Sequence, residues 1–195
     1  MSDHRGMGSA LQPFTSKAFY AWHMAEQPPD AFAVNLWRNA ATPRCKHFVW
    51  LVHRERLPSA AVLQHRNITE SAICSLWGAH EDQHHILLQC PGARSVWRAI
   101  GWPCAPYLLS FRELWMLPAL TGLDMPIRSA IITAVLWNIW KARNAFVFNQ
   151  EYIPTKTMVR NAAADLDLWT LRTRSPIHSF RTSLADHAYG SAYAL

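Results

Sequence analysis

Apolar residues recur at helical spacing along almost the whole chain, and this pattern constrains the fold more than any other feature. The clearest case is the segment 127–148, where the apolar stripe consists of Ile131, Ile132, Val135, Leu136, Ile139 and Trp140. A second helix is predicted to begin at Pro154-Thr155 and to run to about Thr173. No useful stretch alternates apolar and polar residues as a half-buried strand would. The sequence therefore predicts an all-α fold.

Prolines and capping residues divide the first hundred residues into shorter predicted helices. The predicted helix starts are marked by Thr15 or Ser16, Asp30, Pro43 and Ser59. Periodicity lapses over residues 68–81, which we interpret as a compact loop. It returns over residues 84–102, with a break expected at Pro91-Gly92. Four tryptophans fall on or beside the apolar stripes and are predicted to be core residues: Trp37, Trp50, Trp97 and Trp140.

These patterns predict a division of the chain into five parts. They are a flexible N-terminus (1–13), a compact multi-helix domain (14–102), a proline-containing connector (103–124), a helical hairpin (125–174) and a flexible tail (175–195). A further short helix is expected inside the connector, around residues 111–115.

Composition limits the class of protein. Of 195 residues, 50% are hydrophobic and 16% are charged, which excludes a mostly disordered chain. Four cysteines form no disulfide framework, no secretory signal is apparent, and the longest apolar run is too short to cross a bilayer. We expect a soluble intracellular protein, with nucleus or cytosol left open.

The middle of the chain contains donors that suit a metal. Cys74 is followed by His85 and Cys90, which have His-x4-Cys spacing. Two thiolates and an imidazole are typical of a tetrahedral zinc site, so zinc is the predicted cofactor. The other two cysteines are predicted to be structural thiols: Cys45 and Cys104.

The predicted site is one ligand short. A Cys-x2-Cys turn that begins at Cys74 would place its second sulfur at position 77, where the sequence has Trp77. His80 or His84 is the candidate substitute, because either lies in the loop that must fold back toward Cys74. Without a substitute, the indole ring of Trp77 is expected to fill the gap.

The segment from Arg38 to Arg66 is strongly basic, with six Lys or Arg residues and one acidic residue, Glu55. Such a block attracts phosphate backbones, or it is the solvated face of ordinary helices. The stretch Trp137–Lys141 can stack nucleobases, although its helical spacing favours a core position. The predicted phosphate contacts are Arg44, Lys46, Arg54, Arg56 and Arg66.

Several segments resemble the zinc-binding domain that follows the polymerase in reverse transcriptases of plant LINE-type (non-LTR) retrotransposons. Its Cys-Pro-x-Cys-Gly, Glu-Asp-x-x-His and Cys-Pro-x-Ala-x-x-x-Trp signatures are similar to residues 74–78, 81–85 and 90–97. Earlier signatures of the family resemble residues 14–20, 36–37, 43–51 and 55–59. Residues 137–144 are similar to a Trp-x-Ile-Trp-Lys-x-Arg-Asn stretch that these elements carry before their ribonuclease H domain.

The resemblance implies a helical accessory domain that binds zinc and helps a polymerase to hold its RNA or DNA template. It implies zinc ligands at Cys74, position 77, His85 and Cys90. The chain departs from the family at Trp77, and neither a polymerase signature nor a ribonuclease H carboxylate cluster is apparent. We therefore expect an isolated module without the catalytic parts of the element.

Three function classes follow from the sequence. The first is a non-catalytic module that binds nucleic acid without sequence preference. The second is a helical protein-interaction or structural module without metal, which the ten tryptophans favour because they predict exposed apolar patches for a partner. The third is a hydrolase that uses the incomplete zinc site beside Glu81 and Asp82, a remote alternative. We expect no enzyme, since no phosphate-binding loop or nucleophile elbow is present.

Overall fold

The computed structural model describes residues 15–25 and 30–171, and these residues form helices connected by turns. Within them the only extended pairing is an isolated antiparallel bridge between Ile73 and His80, and no strand is present. The predicted all-α class is confirmed. The predicted flexible ends, 1–13 and 175–195, lie outside the described residues.

Seven α-helices are described, together with one π-helix and three short 3-10 helices. The α-helices are α1 (Ser16–Ala25), α2 (Ala31–Arg38), α3 (Pro43–His53), α4 (Ala60–His65), α5 (Pro91–Ala99), α6 (Met125–Asn149) and α7 (Thr155–Thr170). The π-helix, His85–Gln89, directly precedes α5. The 3-10 helices lie in the predicted connector at Ala105–Tyr107, Phe111–Met116 and Pro118–Leu120.

The described residues divide into two compact units, with the division between Phe32 and Ala33. In the first unit, the hydroxyl of Thr15 accepts a hydrogen bond from the backbone N–H of Ala18 at 3.1 Å and caps α1. The carboxylate of Asp30 accepts from the N–H of Phe32 at 3.1 Å where α2 begins. Both predicted helix starts are confirmed.

Helix α6 is the centre of the second unit. Eleven of its residues, between Ser129 and Trp140, are buried. Helices α3, α5 and α7, the π-helix and the 3-10 helix at Phe111–Met116 all pack against it. Because neighbours surround α6 on several sides, its buried surface is wider than the single predicted stripe. Helices as distant in sequence as α3 and α6 therefore share one core.

The local starts of the shorter helices follow the predicted chemistry. Pro43 and Pro91 each occupy the first turn of a helix, where a missing N–H costs nothing. The hydroxyl of Ser59 accepts from the N–H of Val62 at 3.3 Å and caps α4. The break at Pro91 is confirmed, whereas the π geometry of the turn before it has no counterpart among the predictions.

One predicted core residue is at the surface. Trp97 and Trp140 are buried and Trp50 is half-buried, but the side chain of Trp37 is 46% exposed. Trp37 directly follows Leu36, which is completely buried. Successive residues of a helix point about 100° apart, so Trp37 lies at the edge of the buried side of α2. The prediction of a core position for Trp37 is wrong, because helical spacing alone does not define the edge of the buried stripe.

No helix in the described part of the chain is both long enough and apolar enough to cross a membrane. The predicted division at residues 102 and 124 stays a prediction.

Candidate metal centre

Three side chains that can bind a metal converge beside α6. The sulfur atoms of Cys74 and Cys90 and a ring nitrogen of His85 all lie within 4.8 Å of one another, and all three residues are buried. These residues come from a turn, from the π-helix and from the start of α5. The convergence expected from the sequence is confirmed, and metal binding itself stays a prediction.

A tight turn positions Cys74. The backbone carbonyl of Cys74 accepts hydrogen bonds from the N–H groups of Trp77 at 3.2 Å and Gly78 at 2.9 Å. The N–H of Cys74 donates to the carbonyl of Ala79 at 2.7 Å, which closes the turn. Gly78 has φ +68°, a left-handed conformation that glycine adopts without steric cost. The turn therefore holds the Cys74 sulfur against the core.

The π-helix brings His85 and Cys90 together. The N–H of Cys90 donates to the carbonyl of His85 at 2.6 Å, a hydrogen bond that spans five residues. In an α-helix, two residues five apart would point about 140° away from each other. The wider π turn reduces that angle, so both donors face the same side. Asp82 fixes the start of this turn, because its carboxylate accepts from the N–H of His85 at 2.7 Å.

The protonation states of Cys90 and His85 are compatible with metal binding, in which a thiol gives up its proton and a neutral imidazole binds directly. Burial, with the neighbouring thiol of Cys74, raises the pKa of Cys90 to about 11, and backbone N–H groups of Gly92 and Ala93 lower it in part by hydrogen bonding to the sulfur. Burial also lowers the pKa of His85 below its ordinary value of 6.5, so its ring is neutral at pH 7. Metal uptake at neutral pH would therefore release the Cys90 proton.

The donor set fits zinc. Two thiolates and one neutral imidazole are the ligands that zinc takes in tetrahedral protein sites. In such sites the donor atoms lie about 3.4–3.8 Å apart, so the 4.8 Å group needs only a small contraction. The Nε2 atom of His85 is buried and has no hydrogen-bond partner among the described residues. An unpaired nitrogen in this position costs free energy unless it binds something. The group can therefore hold a metal ion.

Trp77 does not occupy the centre of the group. Its side chain is 57% exposed, and it is not among the residues that line the small cavity, of about 50 Å³, beside the donors. The expectation that its ring fills the gap is wrong, because the indole projects from the turn into solvent. The cavity is closed instead by residues of α6 and α7, among them Ile139, Phe146 and Met158.

Neither candidate substitute ligand belongs to the group. The ring of His84 packs on Phe111 with centroids 4.6 Å apart, and it lines other cavities. His80 is exposed, and it pairs across the turn with Ile73. Successive residues of an extended chain point to opposite faces, so Ile73 and its partner His80 lie on the face away from the side chain of Cys74. A fourth ligand from His80 or His84 stays a prediction that requires rearrangement of the loop.

A buried ion pair between Glu81 and Arg143 has no counterpart among the sequence predictions. A guanidinium nitrogen of Arg143 binds one carboxylate oxygen of Glu81, while its Nε donates to the other at 3.3 Å. The first oxygen also accepts from the N–H of Ala60 at 3.0 Å, where α4 begins. Arg143 in turn lies 5.3 Å from the ring centroid of Trp140. The pair thus connects the metal-site loop to α4 and α6.

The ion pair joins two of the motifs that carry the family resemblance. Glu81 begins the Glu-Asp-x-x-His signature, and Arg143 lies in the stretch 137–144. Their charges were visible in the sequence, but nothing local indicates that residues 62 positions apart meet. Glu81 is 1% exposed as a residue, and both of its carboxylate oxygens accept hydrogen bonds.

The five predicted phosphate contacts lie in two neighbouring regions. The guanidinium groups of Arg44 and Arg54 lie over the indoles of Trp137 and Trp50, at 5.3 and 4.9 Å from the ring centroids. The ammonium of Lys46 donates to the carbonyl of Trp37 at 2.9 Å. Exposed Arg56 and Arg66 line a separate groove of about 510 Å³, which also contains Glu55 and Asp82.

The two remaining cysteines lie away from the group. Cys45 is buried in α3, where burial raises the pKa of its thiol and the Thr42 hydroxyl donates to its sulfur at 3.1 Å. Cys104 is exposed.

Comparison with known proteins finds a match in the part of the chain that contains the three metal-binding side chains. No curated protein and no solved structure matches the chain. One family model matches, and its description is zinc-binding in reverse transcriptase. The match covers residues 14–97, which include Cys74, His85 and Cys90, whereas α6 and α7 lie beyond it. Residues 14–97 are therefore similar to the zinc-binding segment of reverse transcriptases.

Proposed function

We propose that this chain is a non-catalytic zinc-binding module of a reverse transcriptase from a plant LINE-type retrotransposon, and that it helps to hold nucleic acid. The convergence of Cys74, His85 and Cys90 within 4.8 Å is the observation that carries the proposal. The family match over residues 14–97 supports it independently. Zinc would be held by these three residues together with a fourth donor.

The role proposed for zinc is structural. Its ligands would join a turn, the π-helix and the N-terminus of α5, three segments that pack against α6 and α7. Binding to a folded site stabilises the folded state, because the unfolded chain presents no assembled ligands. The engagement of Glu81 by Arg143 and Ala60 supports a non-catalytic role, since no other carboxylate within residues 15–25 and 30–171 lines the donor cavity.

Nucleic-acid binding is proposed from charge. Residues 38–66 contain six Lys or Arg residues, and four of the five predicted phosphate contacts are exposed. Exposed guanidinium groups contact phosphates without reading sequence, which suits a module that holds any template.

A second candidate function is a protein-interaction module without metal. Three large apolar side chains of the connector are strongly exposed: Tyr107 at 73%, Leu109 at 88% and Met116 at 73%. This candidate requires the three side chains to form one patch, because contiguous exposed apolar surface is typical of contact sites for a partner. Self-association that is insensitive to salt in size-exclusion chromatography, in protein that takes up no zinc, would favour this second candidate.

Zinc is expected to raise the melting temperature of the wild-type protein and not that of Cys90→Ser. At zinc concentrations about 100 times the dissociation constant, binding adds about 2.7 kcal/mol, which shifts the melting temperature of a domain of this size by roughly 5–10 °C. Differential scanning calorimetry with added zinc and with a chelator measures the shift. Cys104→Ser is the matched control and is expected to respond like wild type. An equal shift in Cys90→Ser would exclude the proposed ligands.

The exposed arginines are expected to set the salt dependence of nucleic-acid binding. Neutralising one phosphate contact lowers the slope of log K against log salt by about 0.7 on a single strand and about 0.9 on a duplex. We expect this change for Arg56→Gln and none for Arg160→Gln, an exposed arginine on α7. Fluorescence anisotropy across a salt series measures it. Absence of binding by the wild type at low salt would contradict the nucleic-acid role.

A further inference from the structure

The donor group beside α6 offers a metal three ligands from the protein. Among the described residues, the donor atoms of Cys74, His85 and Cys90 lie within 4.8 Å of one another, and no carboxylate joins them. Glu81 lines the same cavity, but both of its oxygens already accept hydrogen bonds from Arg143. Zinc in a structural protein site takes four ligands, so a zinc ion held here needs one more donor.

The rest of the cavity wall supplies no further zinc ligand within the described residues. Besides the ion pair, the wall has two residues with an oxygen or sulfur atom in the side chain, Tyr152 and Met158. The donors that zinc takes in proteins are thiolate, imidazole and carboxylate, so a phenol and a thioether are not among them. His80 and His84 are not part of this wall.

The cavity beside the donors has room for a small molecule. Its volume of about 50 Å³ is enough for about three to five water molecules, since one enclosed water needs about 10–15 Å³. Its wall is largely apolar, with Ile139 and Phe146 among the residues that form it. Leu76 is half-buried and Tyr152 is 65% exposed, so this side of the cavity borders on solvent. A ligand that fits is therefore short and has an apolar part to place against the wall.

We propose that this cavity binds a small thiol, whose sulfur acts as the fourth ligand of a metal held by Cys74, His85 and Cys90. The inference rests on the proposed zinc-binding function and adds to it the chemical class of the fourth donor. The family resemblance implies a cysteine at position 77, and the indole of Trp77 has no atom that binds zinc. A thiol from solution supplies the missing sulfur, and it releases its proton on binding as the cysteine thiols do.

Size and polarity distinguish a small thiol from other occupants of the cavity. Water and chloride have no apolar part, so they gain nothing from the apolar wall, whereas the short alkyl part of a thiol is removed from solvent there. A thiol with four non-hydrogen atoms, such as 2-mercaptoethanol, matches the volume of about 50 Å³. A tripeptide thiol such as glutathione has the same donor atom but is several times too large.

The test replaces zinc by cobalt(II), because charge-transfer absorption from thiolate to cobalt increases with the number of thiolates bound. Wild-type protein, kept reduced with a phosphine, is loaded with cobalt(II) and titrated with 2-mercaptoethanol. We expect this absorption to rise by about half, as two bound thiolates become three. The apparent zinc affinity is expected to rise roughly tenfold when the thiol is at about ten times its dissociation constant. Ethylene glycol, the matched alcohol, and glutathione are expected to have no effect.

Three variants locate the bound thiol. Ala142→Leu enlarges a residue of the cavity wall and is expected to abolish the response to 2-mercaptoethanol. Ala164→Leu makes the same change at an exposed position of α7 and is expected to respond like wild type. Trp77→Cys supplies a third thiolate from the protein and is expected to bind cobalt without any response to the thiol.

The outcomes separate this inference from the proposed zinc-binding function. A wild-type protein that binds cobalt and does not respond to 2-mercaptoethanol would overturn the thiol inference alone. An equal response to glutathione, or an equal response in Ala142→Leu or Trp77→Cys, would overturn it as well, since the thiol would then not lie in the cavity at the fourth position. The comparison with glutathione needs no substitution and therefore does not depend on the folding of a variant. No binding of cobalt or zinc by the wild type would contradict the zinc-binding function itself.

Discussion

Replacement of Trp77 by cysteine is expected to tighten zinc binding by about two orders of magnitude. Complete structural zinc sites in small peptides contribute roughly 10–16 kcal/mol, so one of four ligands accounts for about 3 kcal/mol. Position 77 lies three residues after Cys74 on a turn that is already closed by two hydrogen bonds to the Cys74 carbonyl. A thiolate on that turn needs to rotate toward the metal, whereas an indole at this position points into solvent.

Competition of the purified protein with a chromophoric chelator measures this change. Trp77→Ser is the matched control, because it removes the indole without adding a thiolate, and its zinc affinity is expected to equal that of wild type. If Trp77→Cys and Trp77→Ser bind zinc equally tightly, then position 77 has no access to the metal. That result would contradict the interpretation of residues 74–79 as half of a zinc site.

Loss of the carboxylate of Glu81 is expected to lower the free energy of unfolding by about 3–5 kcal/mol. Glu81→Gln leaves the guanidinium of Arg143 buried without a countercharge, since the two side chains are 2% and 10% exposed. Removal of one partner of a buried pair has this cost because the remaining charge is neither solvated nor paired. The N-terminus of α4 also loses a negative charge, because the Glu81 oxygen that accepts from the N–H of Ala60 becomes part of a neutral amide.

Urea denaturation followed by far-ultraviolet circular dichroism measures the loss. Glu151→Gln, at an exposed position, is expected to change stability by less than about 0.5 kcal/mol. The double variant Glu81→Gln with Arg143→Met is expected to recover part of the loss, because no unpaired charge remains. A loss below about 1 kcal/mol for Glu81→Gln would show that the pair does not hold the metal-site loop on α6.

The sequence predicted what depends on local pattern. The long apolar stripe identified α6, and prolines with short polar residues identified the starts of α3 and α4 and the break at which α5 begins. The donors of the metal group were also identified, because sulfur and imidazole at recognisable spacing are rare outside such sites. The helices were predictable because their apolar spacing and capping residues lie within a few residues of one another. The metal donors were predictable because cysteine and histidine are the residue types that bind zinc.

Features that depend on tertiary packing were not predictable. The ion pair of Glu81 with Arg143 joins residues 62 positions apart. The outward orientation of Trp77 follows from the path of its turn, and the contact of His84 with Phe111 follows from the π-helix. The exposure of Trp37 depends on how far the neighbouring elements cover the surface of α2, and the apolar periodicity of α2 does not give the extent of that cover. Three of these features depend on neighbours distant in sequence, whereas the orientation of Trp77 depends on the backbone of a turn that apolar periodicity does not describe.

The zinc content of the wild-type protein, measured by elemental analysis after equilibration with zinc and dialysis, tests the metal centre most directly. We expect about one zinc ion per chain, retained in Cys104→Ser and lost in His85→Ala. Wild-type protein that emerges folded and free of zinc would show that Cys74, His85 and Cys90 converge without binding the metal, and the proposed zinc-binding function would then be wrong.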